Sequence, residues 1–186
     1  MTKKIFFLTG ASGAGKTLLI EQLTKKYVNK NWGFFHFDSI GIPSVEVMCK
    51  EHGSPSKWQE VITLQWLDRL IHQEESECMF FEGQVNLEFI QKGFEQHHFT
   101  DYKIILIDCS DDEMVYRLTH KRDQPELLTP EMSNWLKFLR QQANELGVPI
   151  IDTTNLSPAG VIAEFEKVIH TELNELNKEE YSKLRL

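Results

Sequence analysis

Gly10-Ala11-Ser12-Gly13-Ala14-Gly15-Lys16-Thr17 satisfies the pattern G-x-x-x-x-G-K-[ST] at every constrained position. It follows the apolar run Ile5-Phe6-Phe7-Leu8 and precedes Leu18, Leu19, Leu23 and Tyr27, which recur at helical spacing. Strand, loop of small residues and helix, in that order, make a phosphate cradle. Small side chains let backbone N–H groups wrap an anion, and the N-terminus of the following helix faces it. Gly10, Ser12, Gly13, Ala14, Gly15, Lys16, Thr17 and Leu18 are then the nucleotide-contacting positions. Lys16 bridges the outer phosphates, and Thr17 supplies a hydroxyl to Mg²⁺. A glycine turn with no ligand has no use for the Lys-Thr pair.

Outward from this loop, short apolar runs alternate with amphipathic segments, the pattern of βαβ units and a parallel sheet covered by helices on both faces. Strands are expected at Lys4 to Leu8, Gly33 to Phe37, Cys78 to Phe81, Lys103 to Asp108 and Val148 to Ile151. The first helix is expected from Gly15 or Lys16 to about Asn29. Trp58, Val61, Ile62, Trp66 and Leu70 share a second helix, capped by Ser54 or Ser56. Ser110 with Glu113 reads as a capping box opening a helix through Leu118. Thr129-Pro130 and Ser157-Pro158 each pair a cap with Pro at the first helical position. The fold class is therefore α/β, and 186 residues suit one domain. The charged stretch from about 174 to 186 is expected to fray.

With 28 acidic against 20 basic residues, the chain carries a formal charge of -8. That repels nucleic acid and anionic membranes, so an anionic ligand needs a local basic pocket. Three of the five arginines fall between Arg117 and Arg140. Cys49, Cys78 and Cys109 are widely spaced and lack zinc-ligand neighbours, so neither a disulfide nor structural zinc is expected. The Ile5 to Leu8 run is too short for a signal peptide or membrane span, which points to the cytoplasm.

Two acids close expected strands: Asp38 in Phe35-His36-Phe37-Asp38-Ser39 and Glu82 in Phe80-Phe81-Glu82-Gly83-Gln84. Ligands of open α/β sheets bind outside the carboxyl ends of the strands, so both acids are expected beside the phosphate loop. An acid in such a position holds the Mg²⁺ water shell or faces the acceptor. Asp108, followed directly by Cys109 and the Ser110 cap, suits a structural role. Arg117, Lys121 and Arg122 precede a connector of seven residues, 123 to 129, and the next helix carries Arg140. Arg117 and Arg122 are the candidates to close over a transferring phosphoryl group. Arg140 is expected to pair with Glu145 or Glu131 on its own helix. Trp58 and Trp66 read as core, and His97-His98 as surface residues with no carboxylate nearby.

The N-terminal phosphate loop, the acid plus Gly of Glu82-Gly83, and Ile105-Leu106-Ile107-Asp108 leading to Arg117-Leu118 and Lys121-Arg122 resemble the adenylate kinase-like family of small P-loop kinases. The resemblance covers most of the chain. It implies strand order 2-3-1-4-5, a short lid at about 121 to 130, and a loop after the fifth strand, Asp152 to Ser157, whose Asn155 touches the nucleotide base. Nucleotide monophosphate kinases continue their acid as Gly-x-Pro-Arg, whereas this chain has Gly83-Gln84-Val85-Asn86 and lacks that Arg. Asp38 is similar instead to the acid of gluconate kinase-like proteins, which faces an acceptor hydroxyl.

The expectation is an enzyme that moves the γ-phosphate of Mg-ATP to a small-molecule or nucleotide acceptor. Lys16, Asp38, Arg117 and Arg122 are its catalytic candidates, and Thr17 and Glu82 its metal ligands. The alternative is an ATP-dependent switch or adaptor with no small-molecule acceptor. A GTP-reading Asn-Lys-x-Asp sequence is approached at Asn177-Lys178-Glu179-Glu180, inside the charged tail, where it reads as chance.

Overall fold

The computed structural model describes residues 3–183, with side chains through 174. Five parallel strands, β1 (Lys4–Thr9), β2 (Trp32–His36), β3 (Cys78–Gly83), β4 (Tyr102–Asp108) and β5 (Ile150–Asp152), lie in the order β2-β3-β1-β4-β5. The helices are α1 (Lys16–Lys26), α2 (Val45–His52), α3 (Pro55–His72), α4 (Leu87–Gln96), α5 (Asp111–Tyr116), α6 (Pro130–Glu145) and α7 (Pro158–Lys183). Both the α/β class and the 2-3-1-4-5 order agree with the expectation from sequence. The tail expected to fray is instead part of α7 through Lys183, and residues 184–186 lie outside the described residues. No helix among the described residues is long and apolar enough to cross a membrane.

Every residue of β1 is buried, so its alternating side chains build two cores. Phe6 stacks on Phe80, with ring centroids 5.1 Å apart, and meets Phe165 of α7 edge-on. On the opposite face Phe7 meets Phe81 edge-on, and Trp66, Leu67, Ile90, Phe94 and Leu139 of α3, α4 and α6 cover them. Trp58 and Trp66 are thus core residues. Cys78 and Cys109 are buried as well, and burial pushes both thiols up, Cys109 to about 11, which keeps them protonated at neutral pH.

Local signals set most boundaries, and tertiary contacts moved a few. Ser54, Thr129 and Ser110 each accept a hydrogen bond from the N–H three residues on, as caps should. The Ser110 box is half-formed, because Glu113 turns to Arg117 and the Ser110 N–H donates to Thr154. α5 ends at Tyr116, not Leu118, and a π-turn follows over Arg117–Lys121, where Arg122 N–H donates to the Arg117 carbonyl at 3.0 Å. β2 stops at His36, so Asp38 lies in a 3-10 turn, Phe37–Ile40. β3 continues past Phe81 to Gly83, which places Glu82 within the strand, in register with His36 and Leu8. α2, which sequence did not signal, starts at the Ser44 cap and ends at Gly53.

Candidate functional site

The loop after β1 turns into α1 through Gly15, whose φ of 102° lies in the left-handed region that side chains other than Gly resist. Lys16 is buried, and its Nζ donates to the carbonyls of Gly10 at 2.8 Å and Ala11 at 3.1 Å. Burial pushes this ammonium below its ordinary pKa, while the charges of Glu82 and then Asp38 pull it back. The Gly13 and Ala14 carbonyls are taken from behind. Ala14 O accepts from Thr153 Oγ1 at 3.0 Å and from Arg117, which also donates to Gly13 O. With those carbonyls held and the Ala14 N–H donating to the Ala11 carbonyl at 3.3 Å, the other loop amides are left to face a ligand.

At the ends of β2 and β3 the acids converge as the sheet order requires. Thr17 Oγ1 donates to Glu82 Oε1 at 3.3 Å, and His36 Nδ1 lies 2.8 Å from the same oxygen. A hydroxyl beside a carboxylate is a hard-oxygen pair of the kind that suits Mg²⁺. His36 was not marked as a site residue in the sequence, because its contact depends on the β2–β3 register. Asp38 is exposed on its turn, two residues beyond. Partial loss of water and then the Glu82 charge push its carboxyl above the usual range, while Lys16 and His36 pull it down. Ser12 Oγ donates to Gln84 Oε1 at 3.1 Å, so the residue after Gly83 contacts the phosphate loop.

The three arginines have different surroundings. Arg117, rotated inward at the π-turn, pairs with Glu113 at 2.7 Å and donates to Thr153 Oγ1 and O at 2.8 and 2.7 Å. It braces the phosphate loop against the loop after β5. Arg122 is exposed and, with Lys16, Thr17, Tyr116 and Leu156, lines an open cleft of about 630 Å³. Asn155 is exposed on the β5 turn, and from that loop Thr153 and Leu156 form the cleft wall. The connector beyond Arg122 is pinned by Gln124 N–H to the Leu118 carbonyl and by Leu127 and Leu128 against the core.

Arg140 departs from the expectation. It reaches off its helix to Asp108 Oδ2 at 2.7 Å, Asp111 Oδ1 at 3.0 Å and the Cys109 carbonyl, because α6 crosses the end of β4. Neither Glu131 nor Glu145 holds it. Asp108 is buried, and Arg140→Ala leaves its carboxylate without a counter-charge, at a cost of about 2–4 kcal/mol. Thermal denaturation is expected to show Tm lower by roughly 5–10 °C. The double variant Arg140→Ala/Asp108→Asn recovers part of that loss.

A phosphate loop between β1 and α1 of a 2-3-1-4-5 parallel sheet defines a P-loop protein with the fold of the small P-loop kinases. The chain belongs to the AAA-domain family, whose family model matches residues 1–178. It is similar to a curated nucleotide-binding protein from Clostridioides difficile (strain 630), 25% identical over 171 residues, which are 89% of this chain and 53% of that protein. The chain thus spans about half the length of the curated relative it matches. A gluconokinase from Sinorhizobium meliloti 1021 superposes with a TM-score of 0.65 at 15% identity, covering 97% of each chain. A shikimate kinase from Acinetobacter baumannii, solved with shikimate, does so with a TM-score of 0.60 at 15% identity over 94% of this chain and 95% of that one. A deoxyadenosine kinase from M. mycoides gives 0.57 at 16% identity, over 92% and 99%. At these identities the likeness is one of fold.

Proposed function

We propose that the chain is an ATP-dependent phosphotransferase acting on a small-molecule or nucleotide acceptor. The observation that carries this reading is the pair of acids beside the phosphate loop. Glu82 is engaged by the Thr17 hydroxyl, and Asp38 stands free of any ion pair among the described residues, close enough to feel the charges of Glu82 and Lys16. A protein that only binds nucleotide needs the first acid; the second has a task if an acceptor hydroxyl must be oriented or deprotonated. The kinase fold of the solved neighbours supports the same reading.

The residues fit Mg-ATP. Thr17 and Glu82 would hold the ion and its water shell, which offsets charge on the phosphate oxygens. On nucleotide binding, Lys16 exchanges its two carbonyl acceptors for phosphate oxygens, and the loop amides take the remaining phosphate contacts. Asp38 orients the acceptor and accepts its proton. Arg122, exposed on the cleft wall and without an ion pair among the described residues, approaches the transferring group and excludes water.

Arg117 and Arg122 are therefore expected to fail differently. Arg122→Ala lowers the transfer rate roughly 10²-fold with Tm unchanged, since its contact is made in the transition state. Arg117→Ala lowers Tm and ATP affinity together, because it removes the brace on the Gly13 and Ala14 carbonyls. Steady-state kinetics beside thermal denaturation separates the two patterns. Identical losses from both would remove the distinction.

The acceptor class is tested by thermal shift of the chain with a non-hydrolysable Mg-ATP analogue and a panel of sugar acids, polyols, nucleosides and nucleotides. A binder at 100 times its Kd adds about 2.7 kcal/mol of stability. An acceptor that shifts Tm in wild type and not in Asp38→Asn supports the reading. A panel with no shift beyond that of the nucleotide favours a nucleotide-dependent switch.

A further inference from the structure

The fold gives His97, read from sequence as an isolated surface residue, a carboxylate and a second imidazole. Asp68 and His72, one turn apart on α3, meet His97 at the end of α4. Asp68 Oδ1 lies 3.2 Å from His72 Nδ1 and 3.6 Å from His97 Nε2, and one donor atom of each residue lies within 4.8 Å of the others. The imidazole rings are edge-to-face at 5.6 Å. Ligand bonds of about 2.0–2.1 Å to a tetrahedral zinc ion place donor atoms about 3.3–3.4 Å apart. Two of the separations already match that to a few tenths of an ångström.

The supports of these side chains are rigid. A Cβ at Gly93 would stand 2.3 Å from Leu67 Cδ1, so its absence is what lets α3 and α4 close on each other. Asp68 directly follows Leu67, and His97 lies one turn beyond Gly93. Leu67, Leu70, Ile90 and Phe94 are completely buried along the seam. Both helices run from the phosphate-loop edge of the sheet to the opposite edge, where β3 begins, so the cluster is remote from Glu82 and Thr17.

We propose that Asp68, His72 and His97 form a binding site for a late first-row divalent ion, zinc foremost, distinct from the nucleotide site. Two imidazole nitrogens and one carboxylate oxygen are the borderline donor set that zinc, cobalt and nickel favour, whereas Mg²⁺ prefers oxygen donors alone. Three protein ligands leave a fourth position for water. Binding needs neutral imidazoles, so His72 Nδ1 gives up its contact with the Asp68 carbonyl at 2.8 Å and coordinates as the tautomer whose ring proton sits on Nε2. The ion then cross-links the ends of α3 and α4.

The test is titration with Co²⁺ and then Zn²⁺ in excess Mg²⁺ at neutral pH, on the full chain with its exposed thiol removed by Cys49→Ser. One equivalent of Co²⁺ is expected, with a d–d spectrum lost on adding Zn²⁺. His72→Ala and His97→Ala each weaken binding at least about tenfold, and His98→Ala does not. Zinc raises the Tm of the parent and leaves that of His97→Ala unchanged, while ATP affinity is the same in all. Asp68→Asn, an exposed near-isostere, gives the same loss of metal if the alanine variants fold poorly. No saturable binding, or binding undiminished in His72→Ala and His97→Ala, overturns the proposal.

Discussion

Lys16→Ala is expected to lower phosphoryl transfer by roughly 10²–10³-fold or more. Among the described residues its Nζ bonds only to two loop carbonyls, and those acceptors are the groups a phosphate replaces. The ammonium is held in a buried place at an electrostatic cost shown by its depressed pKa, and Glu82 and Asp38 offset part of that cost. Removing it takes away positive charge where the transition state gathers negative charge. Circular dichroism should show an intact fold, and calorimetry should show weaker ATP binding. Equal ATP affinity in wild type and Lys16→Ala would mean that the loop does not cradle phosphates.

Asp38→Asn is expected to lower kcat by roughly 10²–10⁴-fold, as loss of a general base does, with ATP affinity changed less than about twofold. The substitution keeps the shape of the side chain on the 3-10 turn and removes its ability to take a proton. Glu82→Gln should show the converse pattern. The amide oxygen can still accept from Thr17, but the charge that attracts a cation is gone, so the Mg²⁺ concentration needed for half-maximal rate rises steeply. Rates measured against acceptor, ATP and Mg²⁺ in turn separate the two acids. Wild-type rates in both variants would remove the acids from the mechanism.

What the sequence made legible was local, and what it hid depends on three-dimensional register. The phosphate loop, the strand-end acids and the caps at Ser54, Ser110 and Thr129 are each readable within a few residues. So was the alternation of strands and helices that sets the α/β class. The Glu82–His36 contact was not, since it needs β2 and β3 aligned at one register. The division between Arg117 and Arg122 turns on a π-turn, where one additional residue rotates the chain and sends Arg117 inward. Arg140 found Asp108 across the sheet end instead of a neighbour on its own helix, as α6 runs past β4. α2 was silent because Met48 is its single buried residue, while Val45 and Val47 are exposed and leave no apolar stripe.

The activity proposed for the chain is transfer of a phosphoryl group, as distinct from nucleotide binding or hydrolysis alone. Its most direct test is ³¹P NMR of the wild-type chain with Mg-ATP and each acceptor that shifts its Tm. The predicted result is a new phosphate-ester resonance that grows as the γ-phosphate signal of ATP declines, in proportion, and that is missing with Asp38→Asn. ATP left intact, or inorganic phosphate formed at the same rate with and without every acceptor, would contradict it.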